Sequence, residues 1–393
     1  MKKVFCIVLA AVMLLAFAAC GKKTDEAAEQ PAAENPTEKP AENPTEAPAE
    51  IEPPAEQDGE FADGDQYAYI GGELNVLNWG EYIEPELIEL FEQETGVKVN
   101  YIEMTSNEEM LIKLRSSDSS YDLCFPSDYI IEQMIREDML LPLDYSKIPN
   151  AKNIDPKMTE ITNVFDPGNV YSVPYMWGTV GILYNTTKVD DPVTSWGILW
   201  NEKYSGKIWM YDSVRDTIGI TLKYLGYDLN TRNEDEVAAA RDKLIEQAPL
   251  RKGFGTDNMR TSMVNGKAAL AVIYSGDAFA CIEENPDLAY VVPEEGSNVW
   301  FDNVIIPKSA QNIEAAHAFI NFLNDGAIAA RNTEYICYST PNKAAMDRLD
   351  EYFITDETYN PPQEVLDRCE VFHDLGDFVE VFNDAWSKIK SAS

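Results

Sequence analysis

The stretch from residue 74 to residue 104, LNVLNWGEYIEPELIELFEQETGVKVNYIEM, carries the pattern that indicates the fold class. Residues 74–79 are predominantly apolar and predict a strand. Residues 85–95 carry apolar side chains at helical spacing, and Gly96 directly after them is a favoured helix stop. Residues 97–104 predict the next strand. Strand, helix and strand in this order are typical of parallel α/β structure.

The same alternation continues through the rest of the chain. Further helices are predicted at 107–114, 128–137, 216–226, 235–247 and 313–323. Further strands are predicted at 121–126, 180–184, 208–211, 269–273 and 303–307. The pattern predicts two α/β lobes, each a mostly parallel sheet flanked by helices. In open sheets of this kind, ligands bind beyond the carboxyl ends of the strands.

Composition restricts the classes of ligand. The chain has 393 residues and a formal net charge of −37, from 68 acidic and 31 basic residues. That charge repels phosphate, so we expect neither nucleic acid nor an anionic membrane surface as the main partner. Only two histidines are present, which argues against a histidine-rich metal site, and we expect no metal and no cofactor. Neutral or positively charged ligands remain.

The N-terminal region predicts export and anchoring. Residues 1–19 combine two early lysines with a short apolar run, which is typical of a signal peptide. The small residues before Cys20 resemble the bacterial lipobox, which implies lipidation of Cys20 and attachment to the membrane; ordinary secretion with an unmodified Cys20 is the alternative. Residues 20–66 are rich in Pro, Ala and Glu, and predict an acidic, extended linker.

Aromatic residues and carboxylates alternate at the predicted strand ends. These segments lie at 79–82, 126–129, 211–216, 274–277 and 300–302. Ring faces pack on methylene groups and attract cations by about 0.5–2 kcal/mol per contact. Carboxylates accept charge-assisted hydrogen bonds from ammonium groups. The combination therefore favours a ligand with ammonium groups separated by a methylene chain.

Residues 73–339 resemble the substrate-binding proteins of spermidine/putrescine ABC transporters. The resemblance includes the segments 78–82, 171–179 and 338–342. It implies the two-lobed periplasmic-binding-protein fold (type II) with a hinged cleft between the lobes. It further implies crossings near residues 177, 301 and 345. The lobes would then be 71–177 plus 302–345, and 178–301 plus 346–393.

The resemblance also implies a set of ligand-binding residues. They are Trp79, Glu81, Tyr82, Ser127, Tyr129, Asp216, Tyr274, Asp277, Trp300, Asp302 and Tyr338. Two positions depart from the spermidine-binding pattern, since Ser213 stands where Asp can occur and Phe372 approximately where Gln occurs. Both departures favour the shorter diamine, whereas Asp277 keeps enough negative charge for spermidine.

Structural roles compete with ligand binding at several of these positions. Asp128 and Asp216 begin predicted helices, Asp277 is also interpreted as lying where a helix begins, and Asp at a helix start contributes about 1 kcal/mol as a cap. We interpret Asp128 as a cap, and Asp216 and Asp277 as ligand-binding residues. Trp177 and His317 are interpreted as packing residues.

These observations predict extracellular capture of putrescine or spermidine by a monomer that is not an enzyme. The resemblance implies closure of the lobes on the ligand and delivery to an ABC permease driven by a cytoplasmic ATPase. One alternative is another cationic ligand, such as an opine or a cationic amino acid. The other is a secreted glycosidase that uses two carboxylates.

Overall fold

The computed structural model describes residues 69–116 and 119–392. The predicted signal peptide, Cys20 and the linker 20–66 lie outside the described residues. Within the two described ranges, no helix combines the length and the apolar character that a bilayer crossing requires.

The described chain alternates strands and helices. The strands are β1 (Glu73–Trp79), β2 (Lys98–Met104), β3 (Leu123–Cys124), β4 (Ser172–Asn185), β5 (Ile208–Tyr211), β6 (Arg251–Gly255), β7 (Leu270–Tyr274), β8 (Leu288–Val291) and β9 (Val299–Ile305). The helices are α1 (Pro85–Thr95), α2 (Asn107–Arg115), α3 (Asp128–Arg136), α4 (Pro156–Thr162), α5 (Val214–Tyr224), α6 (Glu234–Glu246), α7 (Asp257–Val264), α8 (Ser275–Glu284), α9 (Ile313–Leu323), α10 (Gly326–Ile336), α11 (Lys343–Met346), α12 (Glu351–Thr355), α13 (Gln363–Leu366) and α14 (Val379–Ser391). Short 3₁₀ turns lie between several of them.

The opening segment of the sequence folds as predicted, and its helix has recognisable ends. Pro85 begins α1, where its missing N–H costs nothing, because the first N–H groups of a helix have no partner within it. Gly96 ends α1 at φ 69°, and its N–H donates to the carbonyl of Glu92. Leu87 and Phe91 are buried on the inner face of the helix. These contacts hold α1 against the sheet.

The strands form a sheet in the order β2-β1-β3-β9-β4-β7-β5-β6, with β8 also paired to β4. The predicted parallel pairing holds for β1 with β2 and β3, and for β5 with β6 and β7. The pairs in the centre of the order are antiparallel: β4 pairs in this way with β9, β7 and β8. The sheet is therefore mixed, with parallel pairs towards its two ends.

Strand β4 is longer than predicted and belongs to both halves of the sheet. Residues 172–179 pair with β9, and residues 180–184 pair with β7. The sequence predicted only 180–184. Nearly every side chain of β4 is buried, so the strand lacks the polar alternation from which its start could be read.

Three further differences involve strands with weak sequence patterns. β9 begins at Val299 rather than at the predicted residue 303. Strands β6 and β8 were not predicted. β6 contains two glycines and two basic residues, which give it little strand character. β8 has only four residues, too few to show a period.

Apolar side chains pack into clusters on each half of the sheet. One cluster joins α1, β1 and the helices α9 and α10, and it includes Phe91 and Phe319. Another joins β5, α5, α6 and α14, and it includes Trp196 and Phe382. Tyr338 packs against both clusters. The exact division into lobes at residues 177, 301 and 345 stays a prediction.

Candidate functional site

Asp302 provides the first carboxylate of the candidate site. It lies in β9, is only 7% exposed, and accepts two hydrogen bonds. The hydroxyl of Tyr82 donates to Oδ2 at 2.8 Å, and the hydroxyl of Ser127 donates to Oδ1 at 2.6 Å. Tyr82 follows β1, and Ser127 directly precedes α3. Residues from three separate segments thus converge on this carboxylate.

The charge of Asp302 has no counter-ion in the described part of the chain. None of the ion pairs between described residues includes Asp302. Burial raises the pKa of Asp302 to about 6, although the hydrogen bonds from Ser127 and Tyr82 oppose the rise. A buried carboxylate without a cation loses hydration that hydrogen bonds replace only in part. This group is therefore well suited to a positively charged ligand atom.

Asp216 provides the second carboxylate, at the start of α5. It is 4% exposed and accepts hydrogen bonds from the hydroxyl of Tyr274 at 2.8 Å and from that of Ser213 at 2.6 Å. The side-chain amide of Asn298 donates to Oδ1 at 3.3 Å. The cap of α5 is Ser213, whose hydroxyl accepts from the N–H of Asp216. The carboxylate of Asp216 therefore does not cap the helix.

Aromatic rings connect the two carboxylates. The ring of Tyr82 lies 6.1 Å from that of Tyr338, and Tyr338 lies 5.2 Å from Trp300. Trp300 lies 5.8 Å from Tyr274, whose hydroxyl reaches Asp216. Each of these contacts is edge-to-face, which is a favoured geometry for aromatic pairs. We call Tyr82, Tyr338, Trp300 and Tyr274 the ring path.

Two glycines allow the ring path to lie directly on the backbone. A Cβ atom at Gly178 would lie 2.7 Å from Cζ2 of Trp300. A Cβ atom at Gly276 would overlap Cδ1 of Tyr338. Neither glycine has a positive φ, so the requirement is space rather than backbone conformation. Trp300 and Tyr338 can therefore occupy these positions only because residues 178 and 276 are glycines.

Tyr129 and Trp79 lie beside this arrangement. The side-chain amide of Asn107 donates to the hydroxyls of Ser127 and Tyr129, at 3.0 and 3.2 Å. Asn107 therefore links Tyr129 to Ser127, whose hydroxyl donates to Asp302. Trp79 is half-buried, and its indole N–H donates to the carbonyl of Phe125 at 2.9 Å. This bond fixes its ring at the end of β1.

Glu81 and Asp277 take positions different from those of the two buried carboxylates. Glu81 is exposed and has a φ of 52°. Its charge acts on Tyr335, which is 41% exposed. Partial burial is the main cause that raises the pKa of Tyr335, and the charge of Glu81 adds to the rise. Asp277 forms a salt bridge with Arg260 at 3.2 Å. Glu81 is thus exposed and Asp277 is paired with a cation, whereas Asp216 and Asp302 are buried.

The residues interpreted as structural are all buried, but Asp128 is not the helix cap that the sequence predicted, because the N-cap of α3 is Ser127. Asp128 is buried and accepts from the N–H groups of Tyr129 and Phe301, at 2.7 and 3.3 Å. Burial raises its pKa to about 8. Trp177 is buried and stacks on Phe301 with ring centroids 6.1 Å apart. His317 is also buried, and its Nε2 accepts from a backbone N–H at 3.0 Å.

The sequence did not single out four residues that complete the site. They are Tyr211, Ser213 as a partner of Asp216, Asn298, and Arg260. Tyr211 ends β5 and lies 4.6 Å from the ring of Tyr274. It follows the strand-end aromatic pattern and could have been found by it. Asn298 and Arg260 carry no pattern of their own, because they reach the site through tertiary packing alone.

Arg215 lies near both carboxylate regions without forming a salt bridge to a described acid. Its guanidinium donates to the carbonyl of His373 at 3.2 Å and to Asn230 at 3.0 Å. Its Cζ lies 4.3 Å from the ring centre of Phe372. These contacts hold Arg215 of α5 against Asn230 and the C-terminal segment, so its charge is already engaged.

A cavity of about 520 Å³ lies elsewhere in the described chain. Its lining includes Ile161, Asp228, Val299 and His373, and none of the ring path. Very little of the two buried carboxylates reaches solvent, so the chemically distinctive site and this cavity are different places. In neither described range do three or more His, Cys, Asp or Glu side chains cluster as metal ligands would.

The arrangement of groups fits the binding of a dication. Two buried carboxylates, neither of which belongs to a salt bridge between described residues, stand at the two ends of an aromatic path. The rings can cover a methylene chain, and each carboxylate can accept hydrogen bonds from an ammonium group.

Comparison with known proteins agrees with this fold. A family described as bacterial extracellular solute-binding protein matches residues 86–360. The spermidine/putrescine-binding periplasmic protein of Escherichia coli K12 is 37% identical over 81% of this chain and 91% of its own length. The putrescine-binding periplasmic protein SpuD of Pseudomonas aeruginosa is 34% identical over 81% of this chain and 92% of its own.

A solved structure extends the comparison to the fold. The spermidine/putrescine ABC transporter substrate-binding protein PotD of Streptococcus pneumoniae is 40% identical, with a TM-score of 0.74. The match covers 82% of this chain and 99% of that one. The predicted two-lobed periplasmic-binding-protein fold is thereby confirmed. The chain belongs to the bacterial extracellular solute-binding protein family and is an extracytoplasmic protein.

Proposed function

We propose that this protein captures the polyamines putrescine and spermidine outside the cytoplasm and delivers them to an ABC permease. The observation that carries the proposal is the pair of buried carboxylates, Asp302 and Asp216, joined by the ring path. The names of the relatives give independent support, since the proteins of Escherichia coli and Pseudomonas aeruginosa are described as binding spermidine or putrescine.

Binding would place one ammonium group at each carboxylate. At Asp302 the ammonium would join the hydroxyls of Tyr82 and Ser127, and at Asp216 those of Tyr274 and Ser213. The methylene chain between them would lie against Trp300 and Tyr338. A micromolar affinity corresponds to only about −8 kcal/mol in total. Most of the attraction at the two ends is therefore offset by desolvation and ordering of the ligand.

The predicted hinge provides the route from capture to delivery. Tyr82 and Asp302 belong to one predicted lobe, and Asp216 and Tyr274 belong to the other. A ligand that bridges both carboxylates gains all its contacts only when the lobes are closed, so it selects the closed state. The permease would then recognise that state. Lipidation of Cys20 and the linker 20–66 would keep the protein near the membrane that holds the permease.

An amino-acid ligand fits this site less well. Its carboxylate would require a cation, and Arg215 and Arg260, whose charges act on Asp216 and Tyr338, already have partners. Arg215 is held by His373 and Asn230, and Arg260 by Asp277. No comparable observation favours a glycosidase, because the family that matches the chain is one of extracellular solute-binding proteins.

Calorimetry with the purified protein tests the proposal. We expect saturable binding of putrescine or spermidine at micromolar or tighter dissociation constants. Butylamine, which has one ammonium group, should bind at least about tenfold more weakly than putrescine, and 1,4-butanediol, which has none, should not bind measurably. Absence of saturable binding of both polyamines below about 1 mM, equivalent to −4 kcal/mol, would reject the proposal.

A further inference from the structure

A salt bridge engages the third acidic side chain near the candidate site. Nη1 of Arg260, in α7, lies 3.2 Å from Oδ1 of Asp277, in α8. The two side chains are only 24% and 19% exposed. Partial burial weakens screening by water, so the attraction between them is stronger than in an open surface pair. Asp277 therefore has a protein cation beside it, which Asp216 and Asp302 lack among the described ion pairs.

Both members of this pair lie close to Tyr338 of the ring path. Gly276, the residue before Asp277, is in direct contact with the Tyr338 ring. Burial raises the pKa of Tyr338 well above its usual range, the charge of Asp277 adds to the rise, and that of Arg260 opposes it. Tyr338 in turn contacts Tyr82, whose hydroxyl binds Asp302. Two rings, Tyr338 and Tyr82, thus lie between the salt bridge and the first carboxylate.

We propose that Arg260 is a specificity-determining residue that supplies, from the protein itself, the cation that a third ammonium group would otherwise supply at Asp277. The inference rests on the proposed polyamine function and deepens it. With Asp277 neutralised, two carboxylates of the site, Asp302 and Asp216, remain outside every salt bridge between described residues. A ligand with two ammonium groups can place one at each of these carboxylates. A third ammonium group would find its acid, Asp277, already paired with Arg260.

The physical reason lies in the charge that a ligand meets. An ammonium group that approaches the salt bridge encounters a carboxylate and a guanidinium together, with a net charge near zero. To bind Asp277 it must compete with Arg260, whose planar guanidinium is held by the fold before the ligand arrives. The third ammonium group of spermidine would therefore lose its hydration at this position, and little electrostatic attraction would compensate for the loss.

The variant Arg260→Gln tests the inference directly. It removes the guanidinium and leaves Asp277 as an acid without this partner. We expect the ratio of the dissociation constants of spermidine and putrescine to shift by about tenfold towards spermidine, because one charge-assisted contact becomes available. Calorimetry of both ligands against the purified wild-type and variant proteins gives this ratio.

Two control variants separate the local effect from a change in net charge. Arg241 of α6 is also 24% exposed and also pairs with an aspartate, Asp242. Arg241→Gln makes the same change in charge, and it should leave the ratio unchanged. Arg260→Lys keeps a cation beside Asp277, and its ratio should stay near that of the wild type.

The variant Asp277→Asn provides the opposite test. It leaves the charge of Arg260 near Tyr338 without the carboxylate that now balances it, so it should weaken spermidine more than putrescine. The double variant Arg260→Gln with Asp277→Asn removes both charges and should return the ratio to near the wild-type value. This pattern is specific to compensation between the two charges.

The outcomes distinguish the inference from the proposed function. If the wild type binds a polyamine but Arg260→Gln and Asp277→Asn leave the ratio unchanged, the inference fails and the proposed function stands. If the wild type binds neither polyamine, both fail. If Arg260→Gln does not fold, the other two variants still test the inference. The ratio of dissociation constants must shift away from spermidine in Asp277→Asn and must stay near the wild-type value in Arg260→Lys.

Discussion

Asp302 is a buried carboxyl group whose ionisation opposes folding in the absence of a ligand. Burial raises its pKa to about 6 in the folded protein, compared with about 3.9 in an unfolded chain. For a raised pKa, the stability from this group is fully present below the unfolded value and is lost as the pH rises through about 6. At neutral pH the carboxylate of Asp302 is thus ionised. Its charge can attract a ligand, and it destabilises the fold when no ligand is bound.

Replacing this charge should weaken binding without weakening the fold. We expect Asp302→Asn to raise the dissociation constant of putrescine by about 10- to 100-fold, the loss of one charge-assisted contact. The melting temperature of the ligand-free variant at pH 7.5 should not fall below that of the wild type, because the amide carries no buried charge. Calorimetry and thermal unfolding measure the two effects.

A change of the same charge at an exposed position serves as the control for Asp302→Asn. Asp377 lies on the surface, and Asp377→Asn should leave both affinity and melting temperature unchanged. If Asp302→Asn binds putrescine as the wild type does, Asp302 is not part of the ligand site.

The pH dependence of binding should follow the pKa of Asp302. Above pH 6 the carboxylate is ionised and accepts the ligand directly. Below pH 6 the proton of Asp302 must leave before an ammonium group can bind, so affinity should fall by up to about tenfold per pH unit. Primary ammonium groups, like that of lysine, stay protonated over this range. Titrations between pH 5 and pH 8 in two buffers with different ionisation enthalpies would count the protons released.

Asp302→Asn gives the internal check on that pH profile. Without a titrating group at position 302, most of the fall below pH 6 should disappear. A profile that keeps its full slope in the variant would assign the titration to a group other than Asp302.

At the scale of elements, helix α8 supports the ring path through a single missing side chain. Tyr338 lies against the backbone of α8 at Gly276, where a Cβ atom would overlap the ring. Alanine is a better helix former than glycine, so a helix here would favour alanine if its propensity were the only influence. The contact with Tyr338 overrides that preference.

Gly276→Ala should therefore displace Tyr338 and weaken ligand binding. We expect an increase of at least about tenfold in the dissociation constant of putrescine, together with a loss of about 1–3 kcal/mol in the free energy of unfolding from overpacking. Calorimetry and urea unfolding measure these quantities. Gly80→Ala is the matched control, because its Cβ atom would make only an ordinary contact, 3.6 Å from Glu103. Equal affinities of Gly276→Ala and wild type would contradict a role for the position of Tyr338.

The elements of the fold differ in how far the sequence could predict them. Helix α1 carries its own stop signals, so its ends at Pro85 and Thr95 match the prediction. Strand β4 is buried along nearly its whole length, so its first half, residues 172–179, carried no alternation to mark it. Antiparallel pairing of β4 with β9 joins residues more than a hundred positions apart, and local patterns contain no information about such a partner.

The candidate site shows the same division. Tyr82 lies just after β1, as the pattern of aromatic and acidic residues at strand ends predicted, and its hydroxyl donates to Asp302. Trp300 and Asp302, by contrast, lie within β9, because that strand begins earlier than predicted. The salt bridge of Arg260 with Asp277 did not follow, because it depends on how α7 packs against α8. Sequence patterns predict which residues lie at the ends of strands, whereas the partners of each charge depend on tertiary packing.

At the scale of the whole molecule, ion pairs connect α3 with the C-terminal segment. Arg136 lies 2.6 Å from Asp374, and Glu132 accepts from the backbone N–H of Asp374 at 2.8 Å. The Nδ1 atom of His373 lies 3.1 Å from the same carboxylate of Glu132. Helix α3 falls in the first predicted lobe, and residues 346–393 fall in the second. These contacts would therefore form only when the lobes close.

Breaking this connection should speed the release of ligand. We expect Arg136→Gln to raise the dissociation rate of putrescine about two- to fivefold, since a partly exposed ion pair contributes about 0.2–1 kcal/mol. The association rate should change little, because the open state lacks the contact. Stopped-flow tryptophan fluorescence, with Trp300 in the ring path as the reporter, measures both rates. Arg241→Gln controls for net charge. An unchanged dissociation rate in Arg136→Gln would mean that α3 and residues 373–374 move together, and the predicted lobe boundaries would need to be redrawn so that both lie on the same side of the hinge.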